Sequence, residues 1–270
     1  MQQIIIKILK NFVNLLKDIR SYYCFPKAYI AYRGIFRDFK EAQASSPNRK
    51  SQTYSDEIVE KNTQSIFTTQ ITNMEYPFFF WLHTLLSKNQ HYRVFDFGGG
   101  YGGHYFHYAA ATHTNPQWIV CELPHKVEVA NEVLKEEIKG KNLFFTSDIS
   151  ASHQCNILVS SGAFQYIEDL LGMLKNLLGG GQEYVLLTRL PMQTTKPTFV
   201  SLQNVHNSFF TPYHIFNKAE FIQHFINLGY ELVDMWDDPF DSITLPFHRD
   251  IDIHFCGFYF RLRTAKEGKI

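Results

Sequence analysis

Apolar positions recur with two different periods along this chain. From Met1 to Tyr23, residues Ile4, Ile5, Ile8, Leu9, Phe12, Val13, Leu15, Leu16 and Ile19 fall at helical spacing. Lys7, Lys10, Asn11, Asn14 and Lys17 gather on the other side, which predicts an amphipathic helix. A polar connector over 43–55 follows, after which Ser55 is placed to cap a helix running through Ile58, Ile66 and Phe67. Tyr76 to Leu86 contains Phe78, Phe79, Phe80 and Trp81 and predicts a buried helix without a polar side. From there the period shortens. Arg93–Phe97, Gln117–Cys121, Asn142–Thr146, Cys155–Val159, Glu183–Thr188, Tyr230–Trp236 and His254–Arg263 read as strands, and helical patterns separate the first six except between the third and the fourth. Pro124 opens one of these helices and Gly140 closes it; Ile167–Leu178 forms another, closed by Gly179–Gly181; Asn217 with Glu220 signals a capped third. Strands alternating with helices predict an α/β fold with a mostly parallel sheet.

The densest chemistry lies where the first strand of that series breaks. Asp96 and Phe97 run into Gly98, Gly99, Gly100, Tyr101, Gly102 and Gly103, and His104 starts a helical pattern. Glycine is required where φ is positive or where backbone closely approaches a ligand, so this turn predicts a nucleotide-like cofactor on bare main chain. The spacing alone leaves two readings: Gly98, Gly100 and Gly103 satisfy G-x-G-x-x-G, while Gly98, Gly100 and Gly102 satisfy G-x-G-x-G. Asp96 favours a ligand carrying an ammonium or sulfonium charge over a pyrophosphate, and no Lys or Arg occurs between Arg93 and Lys126 to serve as a phosphate cation.

Two further acidic residues follow at the ends of later strands. Glu122 occupies the place where an α/β nucleotide site binds ribose hydroxyls. Asp148, followed by Ile149, fits either an acceptor for an adenine amine or an ordinary cap.

The run Val94-Phe95-Asp96-Phe97-Gly98-Gly99-Gly100-Tyr101-Gly102, then Glu122 and Asp148-Ile149, resembles the class I S-adenosylmethionine-dependent methyltransferases over roughly residues 76 to 263. Within them the chain is similar to a bacterial group of methyltransferases often encoded near surface-polysaccharide genes. That likeness is carried by Tyr32-Arg33-Gly34-Ile35-Phe36 with Phe39, Glu41 and Ala42, by the Asp96 loop with His104-Tyr105, and by Cys256-Gly257-Phe258-Tyr259-Phe260-Arg261. The resemblance implies a Rossmann-like seven-stranded sheet, mostly parallel with an antiparallel last strand, on residues 76–270, with an N-terminal helical extension over 1–75. It implies S-adenosylmethionine as cofactor. Asp96, Phe97, Gly98, Gly99, Gly100 and Gly102 would hold its methionine moiety, Glu122 the ribose, Leu123, Asp148 and Ile149 the adenine, and Ser160 would line the sulfonium. Gln165 and Tyr166 would face the acceptor. No Asn/Asp-Pro-Pro-aromatic tetrad follows the fourth strand of the series, which disfavours base amines as acceptors.

Residues 189–216 are too long for an ordinary connection, contain Pro191, Pro197 and Pro212, and read as an acceptor lid contributing Tyr213. His104, then His206 and His214 from the lid, are the candidate general bases for O-methylation of a small-molecule or glycan- or lipid-linked acceptor. His104 and His107 share one helix turn with His113 beyond, but without a carboxylate or cysteine at matching spacing, so no metal site is expected.

Composition narrows the partners. Lys and Arg number 26, balancing 26 Asp and Glu, without a basic stripe, which argues against nucleic acid. Aromatic residues make up 16%, including 25 Phe, enough for a large core. Four scattered cysteines without a C-x-x-C pair predict reduced thiols and a cytoplasmic protein. The helix over 1–23 is too interrupted by charge to span a membrane; it predicts either peripheral contact at the inner membrane surface or docking on the protein itself or a second subunit. Two other functional classes use the same residues: a non-catalytic methyltransferase-like module, and a nicotinamide-dependent oxidoreductase, which would tolerate Asp96 poorly.

Overall fold

The computed structural model describes residues 2–47, 71, 75–205 and 209–263. The predicted helix through Ile58, Ile66 and Phe67, its Ser55 cap and candidate base His206 lie outside them. The chain divides into two compact units, a smaller one of Met1–Tyr54, Pro191–Lys218 and Asp241–His254, and a larger one of Ser55–Leu190, Ala219–Phe240 and Phe255–Ile270.

In the smaller unit, helix α1 (Gln2–Cys24) leads into strand β1 (Ile30–Phe36) and the short helix α2 (Phe39–Ala44). Asp38 caps α2 by accepting from the Glu41 amide at 2.8 Å, while the Glu41 carboxylate accepts from the Arg37 amide at 2.9 Å. β1 pairs antiparallel with β7 (Phe199–Val205), which pairs antiparallel with β8 (Phe209–Asn217). Two expectations change here. The segment over 1–75 contributes a strand as well as helices, and most of the expected lid is regular sheet. Asn204 fixes the turn after α1, its amide donating to the carbonyls of Phe25 (2.7 Å) and Ala28 (2.8 Å).

The larger unit contains the sheet read from the sequence. Strands β2 (Arg93–Phe97), β3 (Gln117–Cys121), β4 (Leu143–Thr146), β5 (Ile157–Ser161) and β6 (Tyr184–Gln193, within this unit as far as Leu190) pair in the order β4-β3-β2-β5-β6, every pair parallel. β10 (Ile253–Leu262) pairs with β6 and with β9 (Tyr230–Ile243), so seven strands follow the order β4-β3-β2-β5-β6-β10-β9. These strands read as near-continuous apolar runs because helices cover a parallel sheet. Helices α3 (Glu75–Lys88), α4 (Gly103–Thr112), α5 (Pro124–Val133), α6 (Leu170–Leu177) and α7 (Lys218–Asn227) intervene. α3 buries Phe78, Phe79, Leu82, Leu85 and Leu86 in a core with Val94, Trp118, Ile157, Val159 and Leu186. Its expected all-round burial is not met: Tyr76 and Phe80 are exposed. The aromatic content is used in both ways available to it, as core and as surface.

The strand order reverses between β2 and β5. Chain order runs outward through β3 and β4 on one side and through β6 on the other, so the carboxyl ends of β2 and β5 border the crevice where open α/β sheets bind ligands.

All four cysteines are free, and only Cys24 is exposed. Burial pushes the thiols of Cys121 and Cys155 up to about 12 and about 11.

Packing across β9 and β10 is tight enough to forbid a methyl group at Gly257, where a Cβ would overlap the Trp236 indole. Gly257→Ala is therefore expected to cost about 1–3 kcal/mol by overpacking, measured as a lowered denaturant midpoint, with an unchanged midpoint contradicting this packing.

Candidate functional site

The backbone selects between the two glycine patterns. Gly98, Gly100 and Gly102 have φ of 70°, 59° and 80°, whereas Gly103 is absent from the positive-φ residues and begins α4. The alternating G-x-G-x-G pattern is the one that turns the chain. Backbone bonds close the loop, from the Gly98 amide to the Cys121 carbonyl (2.9 Å) and from the Gly102 amide to the Gly99 carbonyl (3.0 Å). A Cβ on Gly98 would clash with Ala163 and one on Gly99 would overlap the Asp96 carboxylate, while one on Gly100 would meet nothing within 4 Å. The loop is closed underneath and open above Gly100.

Asp96 is fully buried at the end of β2, paired in register with Val120 and Val159. Its Oδ2 accepts from Trp118 Nε1 at 3.2 Å and faces His104 Nδ1 at 3.6 Å; Oδ1 is buried without a hydrogen-bond partner. On the far side of the imidazole, Nε2 lies 3.4 Å from a Glu75 carboxylate oxygen at the start of α3. Phe78 packs on the ring at a centroid distance of 5.0 Å. Burial alone would lower the His104 pKa, but the hydrogen bonds and charges of Asp96 and Glu75 outweigh it and raise the group to about 9. A group of that pKa is cationic at neutral pH, so these surroundings do not suit His104 to the expected role of general base. Glu75 and Trp118 were not among the residues expected here, because nothing in the sequence spacing pairs them with Asp96.

Glu122 stands just past β3. Its Oε1 accepts from the Gly100 amide (3.1 Å) and from Lys126 Nζ (3.1 Å), and its Oε2 accepts from the Leu123 amide (3.1 Å). The carboxylate thus joins the tip of β3 to the most open glycine of the loop, and Lys126 supplies a cation close to the site. Leu123 is 43% exposed beside it, an apolar surface fit for stacking a base. Phe97 is buried and packs on Phe164 at 5.6 Å.

Other expected residues are engaged in ways that change their meaning. Asp148 caps a 3₁₀ turn over Ile149–Gln154, accepting from the Ser150 amide at 2.9 Å and from its hydroxyl, and these bonds lower its pKa. Ile149 is half-buried. Ser160 is a correction: its hydroxyl is buried and donates to the Phe97 carbonyl at 2.9 Å, tying β5 to β2 instead of facing a ligand. Gln165 is buried, with its amide 3.5 Å from the Arg189 carbonyl, and Tyr166 is half-buried. Arg189, within β6, adopts φ of 58° with an exposed side chain and faces Gly162 (φ 65°) just past the carboxyl end of β5, a strained non-glycine position that sequence inspection passed over.

Tyr213 and His214 belong to the smaller unit. Tyr213 is buried edge-on to Tyr32 at 5.1 Å in the core of that unit; His214 lies between Phe39 (4.7 Å) and Phe216 (5.4 Å).

No protein-family model and no curated protein matches the chain. Solved structures do. Magnesium protoporphyrin IX methyltransferase from Synechocystis PCC 6803, with bound S-adenosylhomocysteine, superposes with a TM-score of 0.50 at 12% identity, covering 78% of this chain and 97% of that one. A glycopeptide N-methyltransferase complexed with S-adenosylhomocysteine gives 0.50 at 9% identity, covering 78% and 99%. The chain has the Rossmann-like fold of the class I methyltransferases.

The His104 cluster fixes a pH dependence. A histidine whose folded pKa is raised from 6.5 to about 9 contributes stability that is fully present below pH 6.5 and is lost as pH rises through about 9. His104→Gln is expected to destabilise the protein by about 2–4 kcal/mol at neutral pH, the difference from wild type shrinking above pH 9, as followed by denaturant unfolding across that range. A histidine ring signal titrating near 6.5 in place of 9 would contradict the assignment.

Proposed function

We propose that this protein is an S-adenosylmethionine-dependent methyltransferase that transfers a methyl group to an oxygen of a small molecule or of a free or lipid-linked glycan intermediate. The observation that carries the reading is the loop of three left-handed glycines, closed beneath by a buried carboxylate and joined at Gly100 to Glu122. The residues present fit the cofactor. Above Gly100 there is room for a ligand against bare backbone. Asp96, Glu75 and protonated His104 together leave one net negative charge beneath the loop, which attracts a sulfonium and an ammonium and repels a pyrophosphate. Glu122 uses three of about four acceptor positions, leaving capacity for a ribose hydroxyl. These points weigh against the nicotinamide reading.

The cofactor would supply an activated methyl on a positively charged sulfur. The chain's contribution is positioning: the loop and Glu122 would hold the donor, and the acceptor oxygen would approach past the carboxyl end of β5, near Gly162, Gln165 and Arg189. Holding donor and acceptor in line supplies much of the acceleration without a base. His104 acts as a positioning residue that keeps Asp96 in place under Gly99. The acceptor class rests on the sequence resemblance to enzymes encoded near surface-polysaccharide genes.

Calorimetry with S-adenosylmethionine, S-adenosylhomocysteine and NAD tests the donor site. The first two are expected to bind and NAD is not; Glu122→Ala should weaken both by about 10–100-fold through loss of charge-assisted hydrogen bonds. Binding of NAD alone would overturn the proposal. Methyl transfer from labelled donor to a pooled glycan fraction is expected, and it should fall in Glu122→Ala together with donor binding.

A further inference from the structure

Helix α1 is attached the wrong way round for a helix packed on its own protein. An amphipathic helix normally buries its apolar face. Here, from Gln3 to Cys24, only Asn14 and Asp18 are less than exposed, and these two polar residues lie one turn apart on the same face. Asp18 is 5% exposed and accepts from Arg249 Nε at 2.7 Å, also within the smaller unit. The apolar arc faces outward: Ile4 is 64% exposed, Ile8 61%, Phe12 57% and Leu16 50%. A surface of this kind on a soluble chain marks a place of contact with something else.

The charges say what that something is. The exposed charged side chains of α1 are Lys7, Lys10, Lys17 and Arg20, all basic, while its one acid is withdrawn against Arg249. At about 100° per residue, Lys10, Lys17 and Arg20 flank one edge of the apolar arc, where long side chains can reach lipid headgroups as the arc enters the acyl boundary. Tyr22 and Tyr23 are exposed at the C-terminal end of the helix, with Phe247 at 5.9 Å from Tyr22 and also exposed, an aromatic cluster suited to a membrane–water interface. No described helix is long and apolar enough to cross a membrane. A second protein chain would meet the same apolar face, but nothing in that occupant calls for an unbroken basic edge.

We propose that α1 lies in the surface of an anionic phospholipid bilayer, apolar arc inward, and that the Asp18–Arg249 ion pair fixes the helix with that arc turned away from the smaller unit. This assignment is independent of the methyltransferase reading, since it uses none of the cofactor residues.

The test is co-sedimentation of the full chain with vesicles of phosphatidylcholine alone and of phosphatidylcholine with roughly a third phosphatidylglycerol. The expected result is binding to the anionic vesicles at least about tenfold tighter than to the neutral ones, weakening as salt is raised. Lys7→Glu/Lys10→Glu/Lys17→Glu should lose that preference, and Ile8→Asp/Phe12→Asp should lose vesicle binding altogether; unchanged circular dichroism and an unchanged thermal unfolding transition would establish that both variants remain folded. Three results would overturn the proposal: no binding to either vesicle, equal binding to both, or a wild-type dimer by light scattering that Ile8→Asp/Phe12→Asp converts to monomer while vesicles bind neither form.

Discussion

The structure of the larger unit depends on keeping one carboxylate out of water. Asp96 is fully buried at the end of the central strand, directly under Gly99, where any side chain would overlap it. An uncompensated charge there would be costly enough to neutralise or unfold its surroundings. Compensation comes from two groups, the Trp118 indole on β3 and the His104 imidazolium in the first turn of α4, whose charge Glu75 at the start of α3 helps to hold. A single buried charge thereby links β3 and the first turns of two helices beneath the glycine loop.

The opposite wall of the loop is organised differently. Glu122 is answered by a lysine and two backbone amides, which leave about one of its acceptor positions open to a hydroxyl-bearing ligand. Beneath the loop the charged groups are buried against one another; beside it a carboxylate keeps an acceptor position open. That division suits a site in which one end of a ligand is selected by charge and the other by hydrogen bonding.

Much of this was legible in the chain. All seven strands of the larger unit announce themselves because both faces of a parallel sheet are covered, so Val94–Phe97 or Ile157–Val159 cannot be polar. The glycine loop is legible because backbone at positive φ has few substitutes. The strands β1, β7 and β8 were not, since Arg33 and Gly34 interrupt one, Pro212 lies within another, and their pairing is with segments more than 150 residues away in sequence for β1 and β7. The fate of His104 was also hidden. Its charge is decided by Glu75, on an element whose approach only the tertiary packing determines, and the same is true of Ser160, whose strand position looked ligand-facing until its hydroxyl was found spent on a neighbouring carbonyl.

The cysteines carry a practical consequence. Cys121 and Cys155 are buried and held far from the thiolate that reacts with alkylating reagents, and Cys256 is buried as well, whereas Cys24 stands exposed at the last residue of α1. The native chain therefore carries its own single attachment point for a fluorophore or spin label, at the junction of the outward-facing helix with the body of its unit, where the probe would report polarity and mobility without any engineered residue.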